Sequence, residues 1–494
     1  MMNFFISHEK RILRFFEIAI PVISWSLITL PLWLSPFHPA LVAYFILGFD
    51  VYFFYKSFTT AIFSTISYFK LSKLQNKNWF ALAKTLPNYK SVYHSVIITN
   101  YKESIEKVDK TLSFIVNQDF PLKKLMIILA MEEREGDQAK IRADYLVNKY
   151  KNKFLFIGAV FHPVDSNETL GKASNSTYAA KFLTRKIKEL DINPEFTTVT
   201  SCDADSLLPI KYFSYLTYMF LTDEDRYFHF YWAPVLLYSN FWSVSIPIRI
   251  QATLSSITRL AILARPSNLI HVSTYSMSWV MLEKIGYWDT NIIPEDWHIF
   301  LQAFFTFGQK VRTIPIYLTI SRDAVQGKNI LESFISRYEQ EKRWAWGVTD
   351  APYALFKLFT TPQIPFLPKF LKVSYVLETH IFWPVSFFIL TLGASIPPLV
   401  NPVFARTALG HSLPQLSGLI LTITTVFLIT LIYIDMKSRP ARPSSYSIAK
   451  TPLLIFQWLL LPAISFFFSS LPALEAHTRL LFGKRLEYKV TKKI

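Results

Sequence analysis

Thr197–Ser206 reads TTVTSCDADS, a β-branched run that stops at two carboxylates one alanine apart. Threonine and valine at that density favour extended backbone, and a buried strand that ends in charge finishes at a sheet edge carrying polar chemistry. Side chains two apart in an extended segment point the same way, so Asp203 and Asp205 can reach one divalent cation. Hard carboxylate oxygens suit magnesium or manganese. Taken alone, Asp-Ala-Asp fits a solvated turn after a strand equally well, and the surrounding chain has to discriminate.

Of the 494 residues 51% are hydrophobic, with 44 Phe and 25 Tyr against only 12 Gly, more apolar than a chain bathed wholly in water usually is. Part of it is expected in lipid. A formal net charge of +17 is compatible with nucleic acid, anionic lipid or a phosphate-bearing ligand, and its spread through an apolar chain favours membrane lipid. No helix-turn-helix, zinc-finger or aromatic-basic pattern is present, which sets nucleic acid aside. The single cysteine, Cys202, excludes an internal disulfide and reads as a small buried strand residue.

Residues 1–77 read as an N-terminal membrane region. The basic HEKRILR at 8–14 precedes an apolar run from Ile18 to Leu34, and a turn at Ser35 to His38 leads into a second run from Pro39 to Ser67. The first run is near the lower length limit for a span. The lack of a small-residue cleavage site and the immediate second run argue against a removable leader. Two crossings return the chain to its starting side. Lys70, Lys73 and Lys77, together with the basic opening, predict that both ends face the cytoplasm.

Between residues 78 and 366 short apolar runs alternate with amphipathic stretches, which predicts a mostly parallel sheet with helices packed on it. Strands are expected at 92–99, 125–131, 154–161 and 197–203, and helices at 103–118 and 172–190. Ile105, Val108, Leu112 and Ile115 line one face of the first helix. Lys181, Arg185, Lys186 and Lys188 read as a solvated face of the second.

Five motifs follow in order: Asn100-Tyr101-Lys102-Glu103 after the first strand, Gly171-Lys172 before a helix, Asp203-Ala204-Asp205, Pro294-Glu295-Asp296-Trp297, and Gln340-Glu341-Lys342-Arg343-Trp344. Over roughly residues 90 to 350 this ordered set resembles the membrane-bound family 2 glycosyltransferases, the cellulose, chitin and hyaluronan synthase-like enzymes. The resemblance implies an α/β GT-A-type domain, Rossmann-like with a mostly parallel sheet, on the cytoplasmic side and flanked by α-helical transmembrane segments. It implies a nucleotide-sugar donor, a UDP-sugar, contacted by Tyr101, Glu103, Lys172, Asp203 and Arg343. It further implies Mg2+ or Mn2+ on Asp203 and Asp205, catalysis by Asp296 with Glu295, and acceptor contacts from Gln340 and Trp344. One departure is the end of the second strand, where relatives usually carry an aspartate for the base; here Glu132 would do that from a longer arm.

The chemistry is consistent with those assignments. Breaking a bond to a nucleotide diphosphate requires positive charge at the leaving group, for which Lys172 and Arg343 are further candidates. The acceptor hydroxyl must lose a proton as it attacks, and Asp296 is the candidate base for an inverting displacement through an oxocarbenium-like transition state. Position alone also allows Glu295-Asp296 to cap a helix over 297–307. Gln340, Arg343 and Trp344 stand at i, i+3 and i+4 of an interfacial helix spanning 329–350 and are expected on one face, the arginine able to fork onto diphosphate and the indole to stack on a sugar. Phe334, Ile335 and Trp346 are expected at the membrane interface. His298 reads as a packing or supporting residue rather than a metal ligand.

Residues 367–494 form the C-terminal membrane region, with spans at 381–400 and 416–434. Lys437, Arg439, Arg442 and Lys450 follow the second span and again place the soluble block inside. In the apolar stretch 452–474, Pro462 permits a bent or re-entrant hairpin in place of a third span, which keeps the tail with Arg479, Lys484, Arg485, Lys489, Lys492 and Lys493 in the cytoplasm. The expected function is transfer of sugar to a growing polysaccharide by a multi-pass cell-membrane enzyme. The alternatives are single transfer to a polyprenyl-phosphate or other lipid-linked acceptor, and a catalytically silent scaffold or translocation subunit. The oligomeric state has no sequence signal.

Overall fold

The computed structural model describes residues 2–163, 165–444, 446, 447, 449 and 451–486. Lys450, Lys489, Lys492 and Lys493, used above in the charge argument, lie outside the described residues. After a short helix at Met2–Ser7 come two long helices, α1 (Glu9–Trp33) and α2 (Pro39–Leu74), the second opened by a proline that supplies no amide to a position where none is needed. Leu41, Tyr44 and Val51 of α2 point outward and exposed, as a lipid-facing surface requires. At 36 residues α2 is about 54 Å long, well beyond the ~30 Å of a hydrocarbon layer. Its far end meets the soluble block, where Arg265 lies over the Phe63 ring at 5.2 Å and Lys70 Nζ donates to the Tyr317 hydroxyl at 3.2 Å.

The block then alternates as β1 (Tyr93–Asn100), α3 (Ile105–Val116), β2 (Leu125–Glu132), α4 (Asp137–Tyr150), β3 (Phe156–His162), α5 (Lys172–Glu189), β4 (Thr197–Asp203) and α6 (Tyr212–Thr222). Next come β5 (His229–Trp232), β6 (Val235–Leu236), α7 (Ile246–Leu263), β7 (Tyr275–Ser278), α8 (Glu295–Phe307), β8 (Arg312–Pro315) and β9 (Ile320–Ser321). Helices α9 (Ile330–Ala345) and α10 (Asp350–Thr360) close the block. Seven strands form one sheet in the order β3-β2-β1-β4-β7-β5-β8; β3, β2, β1 and β4 run parallel, and β7 is antiparallel to both of its neighbours. Every residue of β2, LMIILAME, is buried, as expected of a central parallel strand covered on both faces. The register sets Thr99 opposite Asp203 and Asn100 opposite Met131, so the ends of β1, β2 and β4 form one edge.

The elements predicted from the sequence lie within a few residues of the observed ones, but the sequence reading places no element at α4, α6, α7, α10 or any of β5 to β9. Helix α4, DQAKIRADYLVNKY, has no obvious apolar stripe because its buried positions are held by Ala139, Arg142, Ala143, Leu146 and Tyr150. Alanine and an arginine stem cover the sheet at helical spacing without reading as hydrophobic. A second correction concerns Trp346. It was expected at a membrane interface and is instead 5% exposed, packed in the main core, while Phe334 packs on Phe467 and Phe468 and only Ile335 stands open.

The C-terminal part adds α11 (Phe366–Leu392) and α12 (Ala408–Ser438), and the run from Thr451 to Leu481 ends in α13 (Leu471–Leu481). Five helical runs among the described residues are long and apolar enough to cross a membrane: 9–33, 39–74, 366–400, 408–438 and 451–481. The last is helical throughout, without the turn that a hairpin needs, but it passes through a wide-turn segment at Phe466–Ser470, a recognised cause of bending. Its first residue receives a hydrogen bond from Arg442, just after α12, at 2.9 Å. Its last residues accept from Arg14, at the start of α1, at 2.8 and 2.6 Å. Between them the Phe468 carbonyl accepts from Gln251 of the soluble block at 3.2 Å. Both ends thus lie at the helix ends nearest the block.

Candidate active site

Strand β4 runs out at Asp203, and Asp205 lies in the turn that follows. Both carboxylates meet one guanidinium. Arg322, the residue after β9, places Nη1 2.7 Å from Asp203 Oδ2 and Nε 2.9 Å from Asp205 Oδ1. Lys172, the first residue of α5, holds Asp203 from the other side. Its Nζ is 2.8 Å from Asp203 Oδ1, 2.8 Å from Glu295 Oε1 and 2.7 Å from the Ser273 carbonyl. These three acceptors match the three donors of an ammonium group.

Glu295 and Asp296 open α8. Neither is the helix cap, which is Pro294; they occupy the first turn, where the helix dipole favours negative charge. Asp296 accepts hydrogen bonds from the backbone N–H of Ser273 at 2.9 Å and of Trp297 at 3.0 Å. The Ser273 hydroxyl donates to Asp203 Oδ2 and accepts from Arg322 Nη1 at 2.9 Å. One serine in the loop before β7 therefore joins the β4 end to the α8 start.

Burial and charge set these groups apart. Burial disfavours ionisation of Asp203, but Arg322 and Lys172 outweigh it and hold the carboxyl well below the usual range. Glu295 is pushed up to about 7, chiefly by burial; Lys172 opposes the shift and Asp296 adds to it. Asp296 is also raised by burial, against the amide bonds it accepts. Lys172 would lose its proton more readily on burial alone, yet Asp203 and Glu295 keep it firmly charged. Two neighbouring carboxylates with displaced affinities and a third held ionised are the mark of a functional cluster.

Two strands away along the same edge, about 10 Å by strand spacing, lies a second group. Glu132 ends β2 and pairs with Arg134 at 2.5 Å, and that guanidinium covers the Tyr101 ring at 4.1 Å. The Tyr101 amide donates to Glu103 at 2.6 Å. Arg142 of α4 ties Asn100 to Glu135 at 2.8 and 2.7 Å.

The third group is on α9, capped by Asn329, whose side chain accepts from the Glu332 amide. Gln340 is buried and accepts from Arg337 at 2.6 Å, and Arg337 also pairs with Glu341. The Trp344 ring lies 4.8 Å from the Arg337 guanidinium and 5.4 Å from that of Arg259. Arg343 is partly exposed on the same helix. His298 faces away from this chemistry. It binds Asp350 at 2.7 Å and Asp289 at 3.5 Å, fastening α8 to α10, and despite burial these two carboxylates raise it to about 9.

Sequence reading did not single out Ser273, Arg322, Arg259 or Arg337. The first three are isolated residues in unremarkable contexts, and only their contacts give them meaning. Arg337 alone left a signal: it stands three residues before Gln340 and so shares its helix face.

A mostly parallel sheet whose strand ends gather carboxylates around lysine and arginine, set on helices apolar enough for a membrane, defines a membrane-associated α/β protein. The sequence profile of glycosyl transferase family group 2 matches residues 198–469, more than half of the chain, and the chain belongs to that family. It is therefore a glycosyltransferase. No curated protein matches it in sequence. Among solved structures, the mannosyltransferase PcManGT from Pyrobaculum calidifontis in complex with GDP-Man and Mn2+ is similar at 14% identity and a TM-score of 0.43, covering 80% of this chain and 100% of that one. S. aureus TarS 1-349 in complex with UDP is similar at 12% identity and a TM-score of 0.36, covering 81% and 94%. At those scores neither neighbour bears on the donor or the mechanism of this chain.

Proposed function

We propose that this glycosyltransferase moves a sugar from a nucleotide-diphosphate donor, a UDP-sugar, to a growing polysaccharide at the cytoplasmic face of the cell membrane, with inversion at the anomeric carbon. The observation that supports it best is the junction at Lys172, which ties Asp203 of the strand edge to Glu295, next to Asp296 on α8. It sets a strongly ionised carboxylate beside one of raised affinity, the division of labour between holding a charged donor and taking a proton.

In this reading Asp296 is the base. Its two amide bonds fix the carboxylate, and burial makes it a better proton acceptor than an exposed aspartate. Glu295 shares the ammonium of Lys172 and positions it against Asp203. Tyr101, Glu103 and Glu132, at the ends of β1 and β2, hold the nucleotide, with Arg134 fixing Glu132 and covering the tyrosine ring. Arg343 supports the diphosphate, and Gln340 and Trp344 face the acceptor. Asp203 and Asp205 suit Mg2+ or Mn2+, since their hard oxygens already close around one positive group, Arg322. A divalent ion held by them would offset the charge of the leaving diphosphate.

The flanking basic residues favour a cytoplasmic block between 78 and 366, with membrane regions at 1–77 and 367–494. Membranes containing the full chain should be incubated with a panel of UDP- and GDP-sugars and the product sized. Transfer from a UDP-sugar into a ladder or long polymer supports the proposal. One sugar per lipid would replace the acceptor with a lipid carrier, and no transfer from any donor would overturn it.

A further inference from the structure

Arg322 is built into the turn that carries the two aspartates. Ser321 and Leu207, the latter two residues after Asp205, exchange backbone hydrogen bonds at 2.8 and 3.2 Å. The Arg322 amide donates to the Leu236 carbonyl at 2.9 Å, and its carbonyl accepts from the Ser239 amide at 3.1 Å. The backbone under the guanidinium is therefore fixed from two sides. The side chain, 14% exposed, bridges Asp203 Oδ2 and Asp205 Oδ1 through Nη1 and Nε at 2.7 and 2.9 Å, and Nη1 also donates to the Ser273 hydroxyl at 2.9 Å. The other oxygen of Asp203 is held by Lys172 at 2.8 Å.

This pairing bears directly on the ion that Asp203 and Asp205 suit. A divalent cation needs lone pairs on the carboxylate oxygens that now accept from the guanidinium, and two positive groups at contact distance repel each other besides competing for the same acceptors. The chain's own share of the coordination is small. Among the described residues no group of three or more His, Cys, Asp or Glu is placed to hold a metal, so a bare ion has little with which to outweigh a charge-assisted pairing already formed at two carboxylates. Rotation of the side chain is the way to release those oxygens, since the Arg322 backbone is anchored while its guanidinium stands on a long rotatable stem.

We propose that Arg322 is a resident counter-cation, which holds Asp203 and Asp205 together in the absence of a divalent ion and must leave their oxygens when one binds, so that the chain's affinity for the bare ion is kept low. This rests on the assignment of Mg2+ or Mn2+ to the two aspartates above and deepens it.

Full-length protein in detergent would be titrated with Mn2+ in the absence of nucleotide, with the unbound ion read by its electron paramagnetic resonance signal. The chains compared are the unsubstituted protein, Arg322→Gln, Arg322→Lys and the double variant Arg322→Gln with Asp205→Ala. Arg322→Gln should bind Mn2+ about tenfold tighter than the unsubstituted chain or more, the worth of a charge-assisted hydrogen bond no longer in competition. Arg322→Lys keeps the charge and should gain less, and the gain should vanish in the double variant. An affinity in Arg322→Gln equal to or below that of the unsubstituted chain overturns the counter-cation role and leaves the metal assignment standing. A gain that persists in the double variant puts the ion elsewhere and overturns both, as does the absence of Mn2+ binding by every one of these chains. Should Arg322→Gln fail to fold, phenylglyoxal labelling of the unsubstituted protein, read by peptide mass spectrometry, decides. Labelling of Arg322 that rises with Mn2+ supports the proposal, and labelling that Mn2+ leaves unchanged or lowers overturns it.

Discussion

The backbone N–H of Ser273 donates to the Asp296 carboxylate at 2.9 Å from a left-handed φ of 72°. A non-glycine residue held there costs on the order of 1 kcal/mol or more, and such strain persists where surrounding contacts demand it. Here they do, because the same residue's hydroxyl donates to Asp203. Ser273→Ala keeps the amide and loses the hydroxyl. It is expected to fold and to lower turnover by about 10- to 100-fold, the worth of a hydrogen bond to a charged group. Ser273→Pro removes the amide and forbids the backbone angle, and should leave no activity. Transfer assays beside thermal melts check both, and full turnover in Ser273→Ala would remove the serine from the site.

Asp296→Asn preserves shape and can keep one of the two amide contacts through its remaining oxygen, but cannot take a proton. Transfer should fall by roughly 10²- to 10⁴-fold, the usual contribution of a general base, while UDP binding measured by calorimetry stays nearly intact. Retention of normal rates would transfer the role to another carboxylate.

Asp205→Ala should abolish the difference in UDP affinity measured with and without chelator. Arg322 would lose one of its two carboxylates and remain with Asp203, so the fold is expected to survive. An affinity that still responds to Mg2+ or Mn2+ would assign the ion elsewhere.

Stability should also depend on pH through His298. Its folded-state affinity, near 9, lies above the ordinary 6.5, so its contribution is complete below pH 6.5 and is lost as pH rises through 9. The loss should be on the order of 3 kcal/mol. Glu295 acts in the same direction over a lower range, from 4.5 to about 7, where the folded state must give up a proton it prefers to keep. The melting temperature of the detergent-solubilised chain should fall between pH 6.5 and 9, and His298→Gln should flatten that decline.

Much of the sheet could be read before any coordinates because its strands are dense in β-branched and aliphatic residues and end in recognisable polar groups. TTVTSCD became β4 without a change of boundary. Helix α4 escaped because alanines and an arginine stem pack well without looking apolar. Trp346 was misplaced because an indole beside a membrane-associated helix serves a core and an interface equally, and only its neighbours decide. The motif carboxylates could be named from their order, but the groups that organise them could not. Arg322 and Ser273 approach from loops between distant strands, and tertiary pairing of that kind has no local pattern.

Helix α2 outreaches the lipid and delivers its last turns to the catalytic block through Phe63 and Lys70. It acts as a stanchion. If the proposed membrane placement holds, this single rod sets the height of the block above the bilayer, and an insertion or deletion of one helical turn in its protruding part should change which acceptors can be reached while leaving donor hydrolysis, the reaction with water, comparatively untouched.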